Sequence, residues 1–132
     1  MPLQRVLFVC LGNACRSQMA EGFAGAYGKD VIEPYSAGLA PAMTVPEETK
    51  QIMAEKNVDI SAQFPKPVSL FPRGHFDLVV NISGYSVPGY PQAVEWKVND
   101  PICGSAEVYR ATRDQIEQLV MKLILDLRRK NK

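Results

Sequence analysis

The stretch RVLFVC, residues 5–10, constrains the fold more than any other part of the chain. It is a continuous apolar run of strand length, rich in Val and Phe, without the alternation of a strand that keeps one wet face. Such a run reads as a strand buried on both faces, the pattern of a parallel sheet. Parallel strands need a crossover, and the residues that follow supply one. After a short turn, SQMAEGFAGAYG (17–28) places Met19, Ala20, Phe23, Ala24 and Tyr27 at helical spacing. Ser17 is a candidate cap for its start and Gly28 a candidate stop.

The rest of the chain continues the alternation. VIEPYSAG (31–38) reads as a weaker strand, and Pro34 places it at a sheet edge. PEETKQIMAEKN (46–57) reads as a helix, with Pro46 in its first turn and Glu47 and Glu48 at the positive end of the dipole. The segment 60–75, with Pro65, Pro67 and Pro72, reads as loop with at most a short helix. DLVVNI (77–82) is the second strong buried strand, SGYSVPGYPQ (83–92) a long turn, and AVEWKV (93–98) a short alternating strand. From about Ala106 to Arg129 runs the longest helix, with Thr112, Ile116, Leu119, Leu123 and Leu127 as its apolar stripe, widened by Val120 and Ile124. The order β-α-β-α-β-β-α predicts one α/β domain over 1–132, with a parallel sheet and helices on both faces. Ligands of such sheets bind at the carboxyl ends of the strands, and Cys10 stands at one.

Charge and cysteine content narrow the chemistry. With 132 residues and a net charge of +1, the chain offers no electrostatic footprint for nucleic acid or a membrane surface. The basic tail RRKNK reads as a solvated helix end. The apolar run at the start is too short for a signal peptide or a membrane span, so a cytoplasmic chain with reduced thiols is expected. One histidine, His75, and three cysteines, Cys10, Cys15 and Cys103, do not assemble a metal site at the usual spacings; no metal and no cofactor are expected. His75 reads as a loop residue, Asp59 and Asp77 as loop and strand starters.

The turn itself, Cys-Leu-Gly-Asn-Ala-Cys-Arg-Ser at 10–17, carries the functional signal. Amides of a strand-to-helix turn converge with the helix N-terminus into an anion-binding nest. Gly12 and Asn13 tolerate the left-handed backbone a tight wrap needs. Arg16 offers a planar fork for two oxygens of a tetrahedral oxyanion. Cys10 faces the centre of that anion, where amides, dipole and guanidinium together favour sulfur as a thiolate, a nucleophile for the central atom. Ser17 is placed to hydrogen-bond the sulfur. The Gly-Lys-Ser/Thr of a Walker loop is missing. Ester hydrolysis also needs a proton for the leaving oxygen, and Asp100, held extended by Pro101 after a strand, is the best carboxylate for it. Glu21, read in the first turn of the helix after the nest, is placed to steady the loop, although dipole stabilisation is enough to explain it.

CLGNACRSQMAEG (10–22), YSAG (35–38), DLVV (77–80), NDP (99–101) and RDQIEQL (113–119) together resemble the low-molecular-weight protein tyrosine phosphatase superfamily, which includes the thioredoxin-coupled arsenate reductases. The resemblance spans almost the whole chain and implies a four-stranded parallel sheet flanked by helices. It implies that Cys10 is the nucleophile, Arg16 the oxyanion ligand and Asp100 the general acid. It further implies that Leu11, Gly12, Asn13, Ala14, Cys15, Arg16 and Ser17 cradle the oxygens, and that Asn13, Ser17 and Ser36 hold the loop in shape. Gln63 stands where the family often has a loop-supporting His. Ile102 and Cys103 stand where the phosphatases often carry aromatic residues. The reductase branch uses a relay cysteine directly after the DLVV strand and another a few residues on; this chain has Ser83 there and no cysteine in 83–92. A second thiol is required to displace arsenic-bound sulfur.

The expected activity is therefore phosphomonoester hydrolysis through a phosphocysteine, on a tyrosine phosphoprotein or a small aryl phosphate. The first alternative is arsenate reduction with a small-molecule thiol, a redoxin partner or Cys103 as second thiol. The other is a phosphate-binding module without catalysis. Cys103 is expected to be a small buried residue. Leu39–Met43, Tyr85–Tyr90 and Ile102 form the rim that sets specificity.

Overall fold

Residues 2–131 are described by the computed structural model. Strand β1 (Gln4–Cys10) leads through the turn into helix α1 (Arg16–Tyr27), then β2 (Ile32–Gly38), α2 (Glu47–Ala54), β3 (Leu78–Asn81), β4 (Val94–Glu95) and α3 (Ala106–Lys130). The sheet order is β2-β1-β3-β4 and every pairing is parallel. β1 is central, as its uninterrupted apolar run requires: Val6, Leu7, Phe8 and Val9 are fully buried. β2 lies at the edge, where Pro34 costs no ladder bond on the open side.

Alternate residues of β1 feed two cores. Val6, Phe8 and Cys10 point into the larger one, built with Met19 and Phe23 of α1, Ile52 and Met53 of α2, and Ile116, Val120 and Ile124 of α3. Leu7 and Val9 point the other way, into a smaller core with Ala37, Val79 and Val87. That face is covered by the segments 64–76 and 84–93, whose helical content is the single 3-10 turn Val68–Leu70. Helical cover is thus unequal: all three α-helices share one face, and the second face has one turn of helix.

Several boundaries move for local reasons. Helix α1 starts at Arg16 with Cys15 in the capping position and no side-chain cap. Ser17 therefore lies inside the first turn, its hydroxyl committed elsewhere. β4 retains two residues of the expected six, after which Trp96 turns its ring onto Phe8, centroids 5.8 Å apart. On α3 the buried line runs through Tyr109, Thr112, Ile116, Val120, Ile124 and Leu127, while Leu119 and Leu123 sit at its half-buried margin. α3 is capped by Ser105, whose hydroxyl accepts the Val108 amide at 3.3 Å. Its basic end is not merely solvated, because Arg128 forms a two-pronged pair with Asp30 at 2.8 Å. His75 is half-buried among Tyr35, Phe71 and Phe76. Asp77 accepts the Arg5 amide at 2.7 Å and so fastens β3 to β1.

Candidate active site

The turn between β1 and α1 is held from outside so that its amides face inward. The carbonyls of Leu11, Gly12 and Asn13 point away, accepting Ala40 N (2.8 Å), Ala42 N (2.9 Å) and Gln18 Nε2 (2.9 Å). Among the described residues, the amides from Leu11 to Cys15 donate to no backbone acceptor, and those opening α1 are unpaired by helix geometry. Asn13 adopts φ 49°, the left-handed bend expected of it. Gly38 backs the wrap: a Cβ there would stand 2.9 Å from Asn13 N and Leu11 O, so only glycine lets β2 pass this close.

Cys10 lies at the floor of this cradle, 2% exposed. Its sulfur is 2.9 Å from Ser17 Oγ, and Ser17 Oγ accepts Asn13 Nδ2 at 2.7 Å. With that lone pair filled, the single Ser17 O–H is left to point at the sulfur, where a thiolate is the natural acceptor. Arg16 crosses the carboxyl edge of the sheet. Its Nη1 donates to Ile82 O (2.7 Å) and Val98 O (3.0 Å), just beyond β3 and β4. Its Nη2 lies 3.4 Å from Asp100 Oδ2, and its buried Nε has no partner among the described residues. One edge of the guanidinium is thus spent on anchoring, and the Nε/Nη2 edge is the one left for a ligand. Asp100 is also tied to the Ile102 amide through Oδ1 at 3.1 Å, and its side chain is 37% exposed. These groups enclose a cavity of about 230 Å³ bounded by Cys10, Leu11, Gly12, Ala14, Cys15, Arg16, Ala40, Ala42, Asp100 and Ile102. Cys10, Arg16 and Asp100, distant in sequence, converge there. No group of three or more His, Cys, Asp or Glu among the described residues is placed to hold a metal ion.

Asn13 is secured a second time by Lys66, whose amide donates to Asn13 Oδ1 at 2.9 Å. The Lys66 ammonium reaches Ser36 Oγ (3.4 Å) and Glu21 (3.9 Å), and Ser36 donates to Glu21. Ser36 therefore supports the loop through Lys66 and Glu21, not by touching it. Burial pushes the Glu21 carboxyl up, against the pull of Ser36 and Lys66, and burial pulls the Lys66 ammonium down, against Glu21. Glu21 sits in the second turn of α1, so its role is this buried pair and not the helix dipole. Gln63 takes up loop support by another route: its Nε2 donates to Gln18 Oε1 at 2.7 Å, and Gln18 holds Asn13 O. Sequence reading missed Lys66 and Gln18. A lysine in a proline-rich loop and a glutamine in a helix carry no local mark of such roles.

The other two cysteines separate. Cys15 is buried, receives the Thr49 hydroxyl at 3.4 Å, and burial pushes its thiol up. Cys103, expected to be buried, is exposed, with φ 63°. Ser83 is buried in a closed polar turn, its hydroxyl donating to Asn81 Oδ1 at 2.6 Å and accepting the Tyr85 amide at 3.0 Å.

The structure thus puts a cysteine at a strand end, beneath inward-facing loop amides and beside an arginine with one free edge. The chain belongs to the low molecular weight phosphotyrosine protein phosphatase family, whose sequence model matches residues 5–132. It is therefore a member of an enzyme superfamily. It is 37% identical over 128 residues to the glutaredoxin arsenate reductase of Synechocystis sp., covering 92% of this chain and 97% of that protein. To an arsenate reductase of Halalkalibacterium halodurans it is 35% identical, over 84% of this chain and 88% of that one. Among solved structures, an arsenate reductase in the phosphate binding state superposes with a TM-score of 0.88 at 35% identity, covering 95% and 99% of the two chains. The YwlE arginine phosphatase of Geobacillus stearothermophilus gives 0.78 at 25% identity, covering 96% and 94%. The missing relay cysteines favoured a phosphatase; the relatives' names weigh toward the reductase alternative instead.

Proposed function

We propose that this chain reduces arsenate, using Cys10 as nucleophile and a thiol from outside the chain as reductant. The observation that carries the reading is the wall of the cavity over Cys10. It consists of the loop backbone, Ala14, Ala40, Ala42, Leu11 and Ile102, with no aromatic residue to sandwich an aryl ring. Such a space suits a small inorganic oxyanion. Names of relatives support it, one of them a glutaredoxin arsenate reductase.

The proposed steps use this geometry. Arsenate enters the nest with its oxygens on the Leu11–Ser17 amides and on the Nε/Nη2 edge of Arg16. Cys10 thiolate attacks arsenic, and Asp100, beside Arg16 at the mouth, protonates the departing oxygen as water. The product is a Cys10–S–As(V) adduct. A thiol then attacks the Cys10 sulfur. The S–As bond breaks with its electron pair on arsenic, which leaves as arsenite, and Cys10 is left as a disulfide for a further thiol to reduce. The balance is arsenate plus two thiols giving arsenite, one disulfide and water.

Phosphomonoester hydrolysis is the second reading, favoured by Ser83 where a relay thiol would stand. It uses the same Cys10 attack and the same acid, with Asp100 then activating water. Thiol-dependent arsenite formation and aryl phosphate hydrolysis, measured side by side on the purified protein, separate the two. Multiple-turnover arsenite formation that is sustained by glutathione with glutaredoxin and vanishes in Cys10→Ser is the expected result. Absence of arsenite with every thiol system tested refutes the first reading, and turnover of the aryl phosphate would then establish the second.

A further inference from the structure

We infer that Cys103 is the second thiol of this site, attacking the Cys10 sulfur so that the reducing electrons leave through a Cys10–Cys103 disulfide before any outside thiol acts. The inference rests on the arsenate-reductase reading and specifies its middle step.

Reduction needs a thiol that can reach Cys10, and the chain has two others. Cys15 is 3% exposed, receives Thr49 at its sulfur, and burial holds it protonated. Cys103 is exposed and follows directly on Ile102, which bounds the cavity. The chain that carries it is anchored inside: Asp100 pairs with Arg16 at 3.4 Å and accepts the Ile102 amide at 3.1 Å. Ile102 and Cys10 bound the same cavity of about 230 Å³, and Cys103 is the next residue, its Cα about 3.8 Å from that of Ile102. Arg16, 6% exposed, also bounds this cavity, and its buried Nε has no partner among the described residues, so a polar ligand there would meet an unspent donor.

Closing a disulfide requires the two Cα atoms to come within roughly 4.4–6.8 Å, so the segment after Pro101 must fold inward. Little restrains it. Residues 102–108 are all exposed, and the turn is closed by one backbone bond, Gly104 N to Pro101 O at 2.8 Å. Cys103 occupies the third position of that turn at φ 63°, a conformation that favours glycine or asparagine. Opening the turn releases that strain and delivers the thiol. By contrast, the region 83–92 holds no cysteine, and Ser83, just after the β3 strand, is buried and fully bonded.

The step balances. Asp100, emptied of its proton when water left arsenic, takes the proton of Cys103. The Cys103 thiolate attacks Cys10 Sγ, and the S–As pair moves to arsenic, which leaves as arsenite. The Cys10–Cys103 disulfide forms and is reduced by two equivalents of an external monothiol or by a dithiol protein.

The test is a single turnover without added thiol. Reduced, desalted protein receives one equivalent of arsenate, is blocked with N-ethylmaleimide, digested and examined by mass spectrometry while arsenite is quantified. The expected result is about one arsenite per chain and a Cys10–Cys103 cross-linked peptide. Cys103→Ser should lose at least tenfold in single-turnover arsenite, bind phosphate and melt like the parent, and recover when glutathione is added, with glutathione then found on Cys10. Equal arsenite from Cys103→Ser, a Cys10–Cys15 cross-link, or arsenite from the parent only when thiol is added overturns the role of Cys103 and leaves the reductase reading standing. No arsenite from the parent under any thiol condition overturns both.

Discussion

Asn13 is the residue whose replacement separates shape from chemistry in this site. It is fully buried, bends the chain at φ 49°, donates to Ser17 at 2.7 Å and accepts the Lys66 amide at 2.9 Å. Asn13→Ala removes both hydrogen bonds, about 1 kcal/mol each, and forces a Cβ-bearing residue without local hydrogen bonds into the left-handed region, at about 1 kcal/mol more. The sum is about 3 kcal/mol, or a fall in Tm of roughly 10–15 °C for a domain of this size. Asn13→Asp keeps the bend and the acceptor for Lys66 but gives Ser17 no donor. It should cost about 1 kcal/mol, roughly 3–5 °C. Its larger effect is chemical: the Ser17 hydroxyl turns to the new carboxylate and leaves the Cys10 sulfur. Loss of one such hydrogen bond is worth about tenfold in rate. Differential scanning calorimetry and turnover on the same preparations decide it. If the Asp variant melts as low as the Ala variant, or turns over as fast as the parent, the Asn13–Ser17–Cys10 relay has been misread.

Three further outcomes are expected. Gly38→Ala should cost about 1–3 kcal/mol and weaken phosphate binding, because its Cβ would meet Asn13 N and Leu11 O at 2.9 Å; an unchanged Kd for phosphate by calorimetry would contradict the close approach. Cys15→Ala should retain turnover with only a modest stability loss, since Cys15 meets Thr49 and the core; inactivity of a folded variant refutes this. Arg110 and Arg113 hold the Glu55 carboxyl down at about 2, against an ordinary value of 4.5. Its stabilising contribution is present above 4.5 and is lost as the pH falls from 4.5 toward 2, so Glu55→Gln should flatten the stability profile in that window, read by chemical unfolding at stepped pH.

What was legible in the sequence was whatever announces itself locally. The apolar run of β1 has one way to be buried, and the Cys-to-Ser turn concentrates several rare residue types, so the central strand and the convergence of Cys10, Arg16 and Asp100 on one cavity could be expected. Relationships across the fold were harder to read. β4 pairs over two residues because Trp96 is drawn onto Phe8, a contact between residues 88 positions apart. Lys66 supports Asn13 from a loop whose prolines say only that it is not a helix. Cys103 has the composition of a core residue, and only the turn closed by Gly104 places it outside. The choice between phosphorus and arsenic turned on missing thiols at 83–92, which is weak ground when another thiol can enter from elsewhere.

Arg16 joins the carbonyls of Ile82 and Val98 with one nitrogen. Those carbonyls lie past β3 and past β4, and β4 contributes only two paired residues of its own. The far edge of the sheet is thus fastened partly by the side chain proposed to receive the anion. Anion binding and local opening of that edge become linked equilibria: an occupied site should slow amide exchange from Ile82 to Val98. The guanidinium proposed to hold the anion is therefore also the group that ties down the strand with the fewest paired residues.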